Sequence, residues 1–209
     1  LSASAWYSPA NLDEPEGGFQ NYGAADYGIL DGRGALKVSS NTYFIRLIER
    51  TGVLPVADMS ARLGITSLPR SGNGAIMGRE ASLALGAYPI SPLEMANAYA
   101  VFAAKGIACK PMTITAGVRS DTGREIAVTD PECHQAVSEA VANTVADALK
   151  QPLTEGGTLA DLGGVKGHDA GVKTGTTNNF AANWTVGITT GTSTAVWLGD
   201  PRGDSAYPL

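Results

Sequence analysis

Apolar residues recur at helical spacing in the first half of the chain. In the stretch ALKVSSNTYFIRLIERTG, the residues Phe44, Leu47 and Ile48 follow this spacing and Gly52 provides a stop signal. A shorter helix is expected directly after it, ending at Gly64. Before this stretch, from residue 1 to residue 34, prolines and glycines interrupt every run. We therefore predict an ordered but irregular segment there, lying on the surface.

The next apolar stripe carries complete boundary signals for a helix, in the sequence SPLEMANAYAVFAAKG. Ser91 can cap the helix, Pro92 suits its first position and Glu94 completes a capping box. Gly106 marks its end. The stripe itself is most simply part of the core.

Beyond residue 106 the pattern changes from helical to strand-like. The segments MTITAGV and EIAV flank the turn-forming SDTGR, which predicts a hairpin. Another helix is predicted to open at Asp130 and Pro131. Its apolar face would consist of residues four positions apart, Val137, Val141, Val145 and Leu149.

The end of the chain alternates apolar and polar residues, as half-buried strands do. Trp184, Val186 and Ile188 alternate with threonine and glycine, and Gly191 marks a turn. The segments GVKTGTT, NWTVGITT and TSTAVWLG therefore predict three consecutive strands, most simply antiparallel. A helical middle followed by a sheet predicts an α+β fold.

Composition and charge exclude several functional classes. The chain has 209 residues, of which 44% are hydrophobic and 17% charged, a globular composition. Its formal net charge is −5 and no basic run appears, so nucleic acid is not an expected partner. No apolar run approaches the ~20 residues that a membrane span requires. The first residue is not Met, which suggests a piece of a longer protein.

The chain has two cysteines, Cys109 and Cys133, and their number and position allow two readings. One disulfide between them would imply an oxidising, extracytoplasmic compartment. Two buried free thiols are the alternative. Zinc is poorly supported, because His134 is adjacent to Cys133 and the only other histidine, His168, is far along the chain.

The sequence KTGT, beginning at Lys173, combines a cation, small hydroxyls and a glycine in one predicted strand. Alternation places Lys173 and Gly175 on one face and Thr174 and Thr176 on the other. A glycine in a strand often marks close approach by another group, and threonine hydroxyls can bind a carboxylate. The motif therefore indicates a site for an anionic, peptide-like ligand, although an ordinary surface strand also fits these residues.

A phosphate-binding loop is a competing interpretation of GHDAGVKT. That pattern requires a glycine directly before the lysine, where this chain has Val172, and a helix after it. Both conditions fail, so nucleotide binding is not expected. We expect no cofactor and no metal.

The sequence SSN, Ser39 to Asn41, lies where a helix is predicted to start. Serine and asparagine are favoured helix caps, so simple capping is the plainer reading. Residues two apart do not face the same way within a helix. If both Ser39 and Asn41 act in one site, they must lie at a junction where the chain bends.

Taken together, the two motifs resemble the second and third motifs of penicillin-binding transpeptidases. They are SSN followed by TYFIRL, and KTGTT followed by NN and later by NWTVG and TAVWLG. Their separation, 173 − 39 = 134 positions, suits that family. The segment SLALGAYPISPLEMANAYAVFAAKG resembles the class A, bifunctional type, and the cysteine pair around ITAGVRSDTGREIAV is similar to actinobacterial members.

The resemblance implies a β-lactamase/transpeptidase-like fold, in which an antiparallel sheet packs with helices beside a helical subdomain. Its approximate bounds here would be 35–106 for the helical part and 107–200 for the sheet part. It also implies a D,D-transpeptidase that cross-links peptidoglycan stem peptides through an acyl-enzyme and is a target of β-lactams. The full-length protein would be extracytoplasmic and anchored to the cell membrane by a segment outside this sequence.

The resemblance also implies residue roles. Ser39 would relay a proton, Asn41 would hold the substrate amide and Lys173 would keep the site positive. The substrate-binding residues would be Thr174, Gly175, Thr176 and Thr177. The hydroxyls of Thr174 and Thr176 would bind the terminal carboxylate, and the N–H of Thr176 would donate to the oxyanion.

One departure from the family is the absence of its nucleophile motif, Ser-x-x-Lys. No serine in the chain is followed by a lysine three positions on. We therefore expect the nucleophile to lie upstream, in a missing N-terminal part that completes this domain, and expect this chain alone to be inactive. A D,D-carboxypeptidase or serine β-lactamase of the same fold, or a non-catalytic β-lactam sensor or scaffold, are the alternatives.

Overall fold

The computed structural model describes residues 1–13, 15, 17–69, 80–177 and 181–202. The asparagine pair after the lysine motif, Asn178 and Asn179, lies outside the described residues. In chain order the helices and strands are β1 (Trp6–Tyr7), β2 (Phe19–Gln20), α1 (Gly32–Val38), α2 (Asn41–Thr51), α3 (Val53–Arg62), α4 (Pro92–Ala103), β3 (Ile107–Ala108), β4 (His134–Gln135), α5 (Glu139–Ala148), β5 (Gly171–Thr176), β6 (Ala182–Ile188) and β7 (Ser193–Gly199). Short 3₁₀ helices occupy Tyr22–Ala24, Ala81–Leu85, Gln151–Leu153 and Ala160–Leu162.

The three strands predicted at the end of the chain form one antiparallel sheet in the order β5-β6-β7. Lys173 pairs with Val186, and Val186 in turn pairs with Ala195, so these three side chains share one face. That face packs on α4, where the Ser193 hydroxyl donates to the Ala96 carbonyl (2.7 Å). Helices and an antiparallel sheet in one body confirm the α+β prediction.

Helix α4 begins as its sequence predicts. The Ser91 hydroxyl accepts from the Glu94 N–H (3.2 Å), and the Ser91 N–H donates to the Glu94 carboxylate (3.4 Å), which completes the capping box. The helix ends at Ala103, three residues before Gly106. Ala98 and Val101 bury its apolar side.

The first predicted helix is divided into two. Helix α1 ends at Val38 and α2 begins at Asn41, because Ser39 takes the left-handed conformation (φ 54°, ψ 49°). The apolar spacing identified helix α2 but only part of its buried face: Ile48 is buried with Ile45, whereas Leu47 is exposed. The pattern could not reveal the break, because the residues at the junction are small and polar.

The N-terminal segment is irregular, as predicted, but it does not lie wholly on the surface. Ala3, Phe19 and Asn21 are buried. The Asn21 side-chain amide donates to the carbonyls of Ala3 and Ser4 (3.1 Å each) and to that of Ala25 (2.9 Å). The Asn21 amide thus supplies hydrogen bonds to backbone carbonyls that would be paired in a helix or a sheet. This segment can therefore be partly buried without regular secondary structure.

The chain reverses at SDTGR as predicted, but the two predicted strands do not form. Val118 and Glu125 make an isolated antiparallel bridge, beside which the Ile126 N–H donates to the Gly117 carbonyl (2.9 Å). The regular pairing lies further out, between β3 and β4. Cys109 and Cys133 are joined by a disulfide just inside that pairing, with their Cα atoms 4.1 Å apart.

Helix α5 also starts later than predicted. Its cap is Ser138, whose hydroxyl accepts from the Val141 N–H (3.3 Å). Cys133 therefore precedes β4 and does not lie in a helix. Glu132 takes a φ of 48°, outside the right-handed helical region, and β4 then pairs with β3, so tertiary pairing overrides the helix-start signal at Pro131.

Across the described ranges, every helix is too short or too polar to cross a membrane.

Candidate active site

At the junction between α1 and α2, the neighbouring residues Ser39 and Ser40 have different roles. Ser40 is fully buried; its hydroxyl accepts from the Tyr43 N–H (3.3 Å) and donates to the Asn21 side-chain oxygen (3.0 Å). Ser40 therefore caps α2. The left-handed turn at Ser39 directs that hydroxyl elsewhere, so capping accounts for Ser40 but not for Ser39.

Lys173 on β5 lies against Ser39, although 134 positions separate them. Its Nζ donates to the Ser39 Oγ (2.7 Å) and to the Thr174 carbonyl oxygen (2.5 Å). No carboxylate among the described residues forms a salt bridge with this ammonium. The helix junction and the lysine strand thus meet directly through the Lys173–Ser39 hydrogen bond.

Burial lowers the pKa of Lys173 from 10.5 to about 8. Removing the ammonium from water disfavours its charged form, and no nearby carboxylate compensates. A group with a pKa near 8 can give up and take back a proton close to neutral pH. The Lys173–Ser39 pair is therefore suited to proton transfer through the serine hydroxyl.

The threonines after Lys173 differ in the hydrogen bonds that their hydroxyls make. The Thr174 hydroxyl donates to the Thr158 hydroxyl over a long 3.4 Å, and the Thr176 hydroxyl donates to Asn183 Oδ1 (2.8 Å). Thr177 Oγ1 instead accepts from the Ala182 N–H (2.7 Å), which closes the loop to β6.

Gly175 lies between these threonines on the exposed part of β5. A Cβ atom there would stand 3.7 Å from the Trp184 Cβ, an ordinary contact. Packing within this chain therefore does not require a glycine at this position. The outer edge of β5 has no partner strand in the described part of the sheet, so a ligand can approach its backbone.

Asn41 is not joined to the Ser39–Lys173 pair by a hydrogen bond. It is the first residue of α2, and its Nδ2 donates to the Gln20 carbonyl (2.7 Å). The structure thus brings together Ser39, Lys173 and Thr174 but leaves Asn41 bonded to the N-terminal segment.

Two residues of the site region escaped the sequence reasoning. Asn21 fixes the junction through its bonds to Ser40 and to the Thr42 N–H (3.2 Å), and Thr158 contacts Thr174. Neither had a usable signal, because each is a single polar residue in a stretch rich in glycine. Within the described ranges, no group of three His, Cys, Asp or Glu side chains is placed to hold a metal ion.

Comparison with known families and proteins gives consistent matches. Residues 8–199 match the family described as the penicillin binding protein transpeptidase domain. Penicillin-binding protein 1A of Aquifex aeolicus is 30% identical over 200 residues, and that of Mycobacterium tuberculosis 35% over 188 residues. These alignments cover 95% and 81% of this chain, but only 25% and 22% of the relatives. The chain thus spans about a quarter of the length of these curated relatives.

Solved structures show the same likeness. PonA1 of Mycobacterium tuberculosis, in complex with penicillin V, superposes with a TM-score of 0.76 at 30% identity, over 95% of this chain and 55% of that one. The imipenem acyl-enzyme of penicillin-binding protein A from the same organism superposes at 0.72 with 21% identity, over 95% of this chain and 50% of that one, which shows a shared fold.

Proposed function

The chain belongs to the penicillin-binding protein transpeptidase domain family, and from this premise we propose that it forms one wall of a D,D-transpeptidase active site. A serine outside this sequence attacks the carbonyl between the two D-alanines of a peptidoglycan stem peptide, and D-Ala leaves. An amine of a neighbouring stem peptide then attacks the acyl-enzyme and releases the serine. β-Lactams acylate the same serine. This route divides one difficult step into two easier ones.

The observation that carries the proposal is the hydrogen bond from Lys173 Nζ to Ser39 Oγ (2.7 Å). In the proposed mechanism, the Ser39 hydroxyl passes a proton between the nucleophile and the leaving amine, and Lys173 supports this transfer. A lysine whose pKa lies near 8 is matched to that task at neutral pH. Asn41 orients the substrate amide in the complete site.

The carboxylate end of the substrate lies along β5 in this proposal. Hydroxyls of Thr174 and Thr176 donate to the terminal carboxylate, and the Thr176 N–H donates to the oxyanion, beside the bare backbone of Gly175. Thr177 supports this stretch by closing the loop to β6. The long contact from Thr174 to Thr158 supports this role, because a stronger acceptor can replace it with little loss.

The remainder of the domain also belongs to the proposal. We infer that a preceding segment supplies Ser-x-x-Lys and that further chain covers β7, where Val196 and Leu198 are 57% and 60% exposed. The full-length protein would be extracytoplasmic and membrane-anchored, as the disulfide favours an oxidising compartment. The division into parts near 35–106 and 107–200 remains a proposal of the same kind.

Labelling of the full-length protein with a fluorescent penicillin tests the function. We expect stable acylation of the wild type, and a loss of about 10²-fold to 10⁴-fold in acylation rate for Lys173→Met. The matched control is Lys166→Met, which removes an equal charge from an exposed position away from the described contacts. An unlabelled wild type contradicts the transpeptidase proposal, and unchanged labelling of Lys173→Met removes Lys173 from its role.

A second measurement tests the location of the nucleophile. Mass spectrometry of residues 1–209 alone, incubated with a penicillin, should show no covalent adduct. An adduct on any serine of this chain contradicts the inference that the nucleophile lies outside it.

A further inference from the structure

The buried polar residues in the described part of the chain lie together at the junction between α1 and α2. They are Asn21, Ser40 and Thr42. The Ser40 hydroxyl (3.0 Å) and the Thr42 N–H (3.2 Å) both donate to the Asn21 side-chain oxygen. Buried polar groups are costly unless they are paired, and these groups pair with one another directly beside Ser39.

The orientation of the Asn21 amide follows from its partners. A backbone N–H can only donate, so the Thr42 N–H fixes the Asn21 oxygen on the side of the junction. The amide nitrogen then faces the N-terminal segment, where it donates to the carbonyls of Ala3, Ser4 and Ala25. Asn21 therefore joins the N-terminal segment to the junction through one short side chain.

Ser39 needs support from its neighbours because its backbone is strained. Its φ of 54° lies in the left-handed region, which the Cβ atom of a serine disfavours. On the far side of this bend, the Ser40 N–H donates to the Ala35 carbonyl (3.0 Å) and the Ser40 hydroxyl donates to Asn21. A strained residue keeps its conformation only where the surrounding structure determines it, so loss of the Asn21 bond lets Ser39 relax.

Lys173, in contrast, is held by its own strand. It pairs with Val186 on β6, and its Nζ also donates to the Thr174 carbonyl (2.5 Å). Relaxation at the junction would therefore move the Ser39 hydroxyl away from a lysine that stays in place. A misplacement of about 1 Å can lower the rate of a reaction by roughly 10²-fold.

We propose that Asn21 is a positioning residue for the Ser39 hydroxyl. It acts through Ser40, keeps Ser39 in the left-handed conformation and so holds the Ser39 Oγ against Lys173. Asn21 is buried and does not itself contact the ligand. This inference rests on the proposed function and deepens it.

Acylation of the full-length protein by benzylpenicillin, measured over a range of concentrations, tests this role. The measurement gives the rate constant of the chemical step and, separately, the dissociation constant of the complex that precedes it. For Asn21→Ala we expect the rate constant to fall by about 10-fold to 100-fold, because the Ser39 hydroxyl is displaced. The dissociation constant should remain within about 2-fold of wild type, because Asn21 does not contact the penicillin.

Phe19→Leu is the matched control for a general loss of stability. Phe19 is buried two residues before Asn21, in the core cluster with Ile45 and Ile48. Its substitution loosens the same segment without removing a hydrogen bond of the junction. The melting temperature should fall, and the rate constant should remain within about 2-fold of wild type.

A second background, Ser39→Gly, separates positioning from a merely structural role, since it has no hydroxyl to position. Adding Asn21→Ala to Ser39→Gly should change the remaining rate by less than about 2-fold, although the same substitution costs about 10-fold or more when Ser39 is present. A structural role would lower the rate by the same factor in both backgrounds.

If Asn21→Ala does not fold, Ser40→Ala replaces it in both backgrounds, because it removes the same link from the side of the junction. Equal losses in both backgrounds, no loss in either, or a loss that Phe19→Leu reproduces would overturn the role of Asn21 and leave the transpeptidase proposal intact. Failure of the wild type to react with benzylpenicillin contradicts the proposed function itself.

Discussion

The two edges of the β5-β6-β7 sheet differ sharply in chemistry. The exposed end of the β5 edge carries the half-buried Lys173, a glycine and two threonines, and faces the Ser39 junction. The β7 edge carries Val196, Trp197 and Leu198, which are 57%, 36% and 60% exposed. Neither edge has a further strand in the described part of the chain.

Each edge contains side chains that lower the stability of the folded state and that no neighbouring residue of the described chain compensates. A desolvated ammonium at β5 destabilises the folded state, and exposed apolar side chains at β7 forgo the gain of burial. At β5 the cost accompanies an arrangement of donors open to a ligand, which is where natural proteins give up stability for function. At β7 the cost supports our proposal that further chain covers this surface. Substitutions at the β5 edge should therefore mainly change the acylation rate, and substitutions at the β7 edge should mainly change stability.

The largest effect is expected from Ser39, which faces the β5 edge. In the full-length protein, Ser39→Ala and Ser39→Gly should each slow penicillin acylation by about 10²-fold to 10⁴-fold, because both remove the hydroxyl of the proposed proton relay. Ser39→Gly should at the same time be more stable than Ser39→Ala by about 1 kcal/mol, since only glycine adopts φ 54° without strain.

Acylation kinetics of both variants measure the loss of rate, and thermal melting measures the difference in stability. Thr194→Ala, on exposed β7, is the control that should leave the acylation rate unchanged. A Ser39→Ala protein with the wild-type rate would place Ser39 among structural residues.

The β5 edge also shows how far sequence could lead. The strand and the helix cap at SSN followed from local patterns, because alternation and capping are local properties. The bend at SSN was expected only on the condition that Ser39 and Asn41 act in one site. The partnership of Ser39 with Lys173 came from resemblance, since no local rule joins residues 134 positions apart. Asn21 and Thr158 were missed for the same reason: their partners are distant in the chain.

The errors elsewhere were of a different kind. Helix signals at Asp130 and Pro131 were correct for an isolated segment but yielded to the β3–β4 pairing around the disulfide. The exposed β7 face could not be foreseen, because alternation shows which side chains share a face but not what covers that face.

The second effect is a gain of stability at β5. We expect Lys173→Met to stabilise the full-length protein at pH 7 by about 1–3 kcal/mol, because a pKa lowered from 10.5 to about 8 reflects an unfavourable buried charge. Between these two values the folded state binds fewer protons than the unfolded state, so wild-type stability rises with pH there.

The advantage of Lys173→Met should therefore be complete below pH 8 and vanish above pH 10.5. Denaturant unfolding of both proteins across this range measures it, with Lys166→Met as the control for loss of a surface charge. A variant less stable than wild type at pH 7 would show that Lys173 contributes to the fold as well as to the site.

The third effect concerns the proposed packing of further chain against the exposed residues of β7. If the rest of the full-length protein packs on Val196 and Leu198, Leu198→Lys should destabilise it by about 1–3 kcal/mol, because a charge is then buried without a partner. Thr192→Lys, in the preceding turn, is the matched control and should lie within about 0.5 kcal/mol of wild type. Equal unfolding free energies for the two variants would show that this face is open to solvent.

The smallest effects distinguish the two edges through one glycine on each. At Gly199 on β7, a Cβ atom would stand 2.4 Å from the ring of Trp197, so Gly199→Ala requires the indole to move and should cost about 1 kcal/mol. At Gly175 on β5, the added methyl would meet only ordinary contact with Trp184, so Gly175→Ala should change stability by less than about 0.5 kcal/mol. The order should be the reverse for the rate of acylation by penicillin. Gly175→Ala should slow the reaction and Gly199→Ala should not, because in our proposal the ligand approaches only the β5 backbone. Equal acylation rates for the two variants would contradict the assignment of the β5 edge as the binding edge.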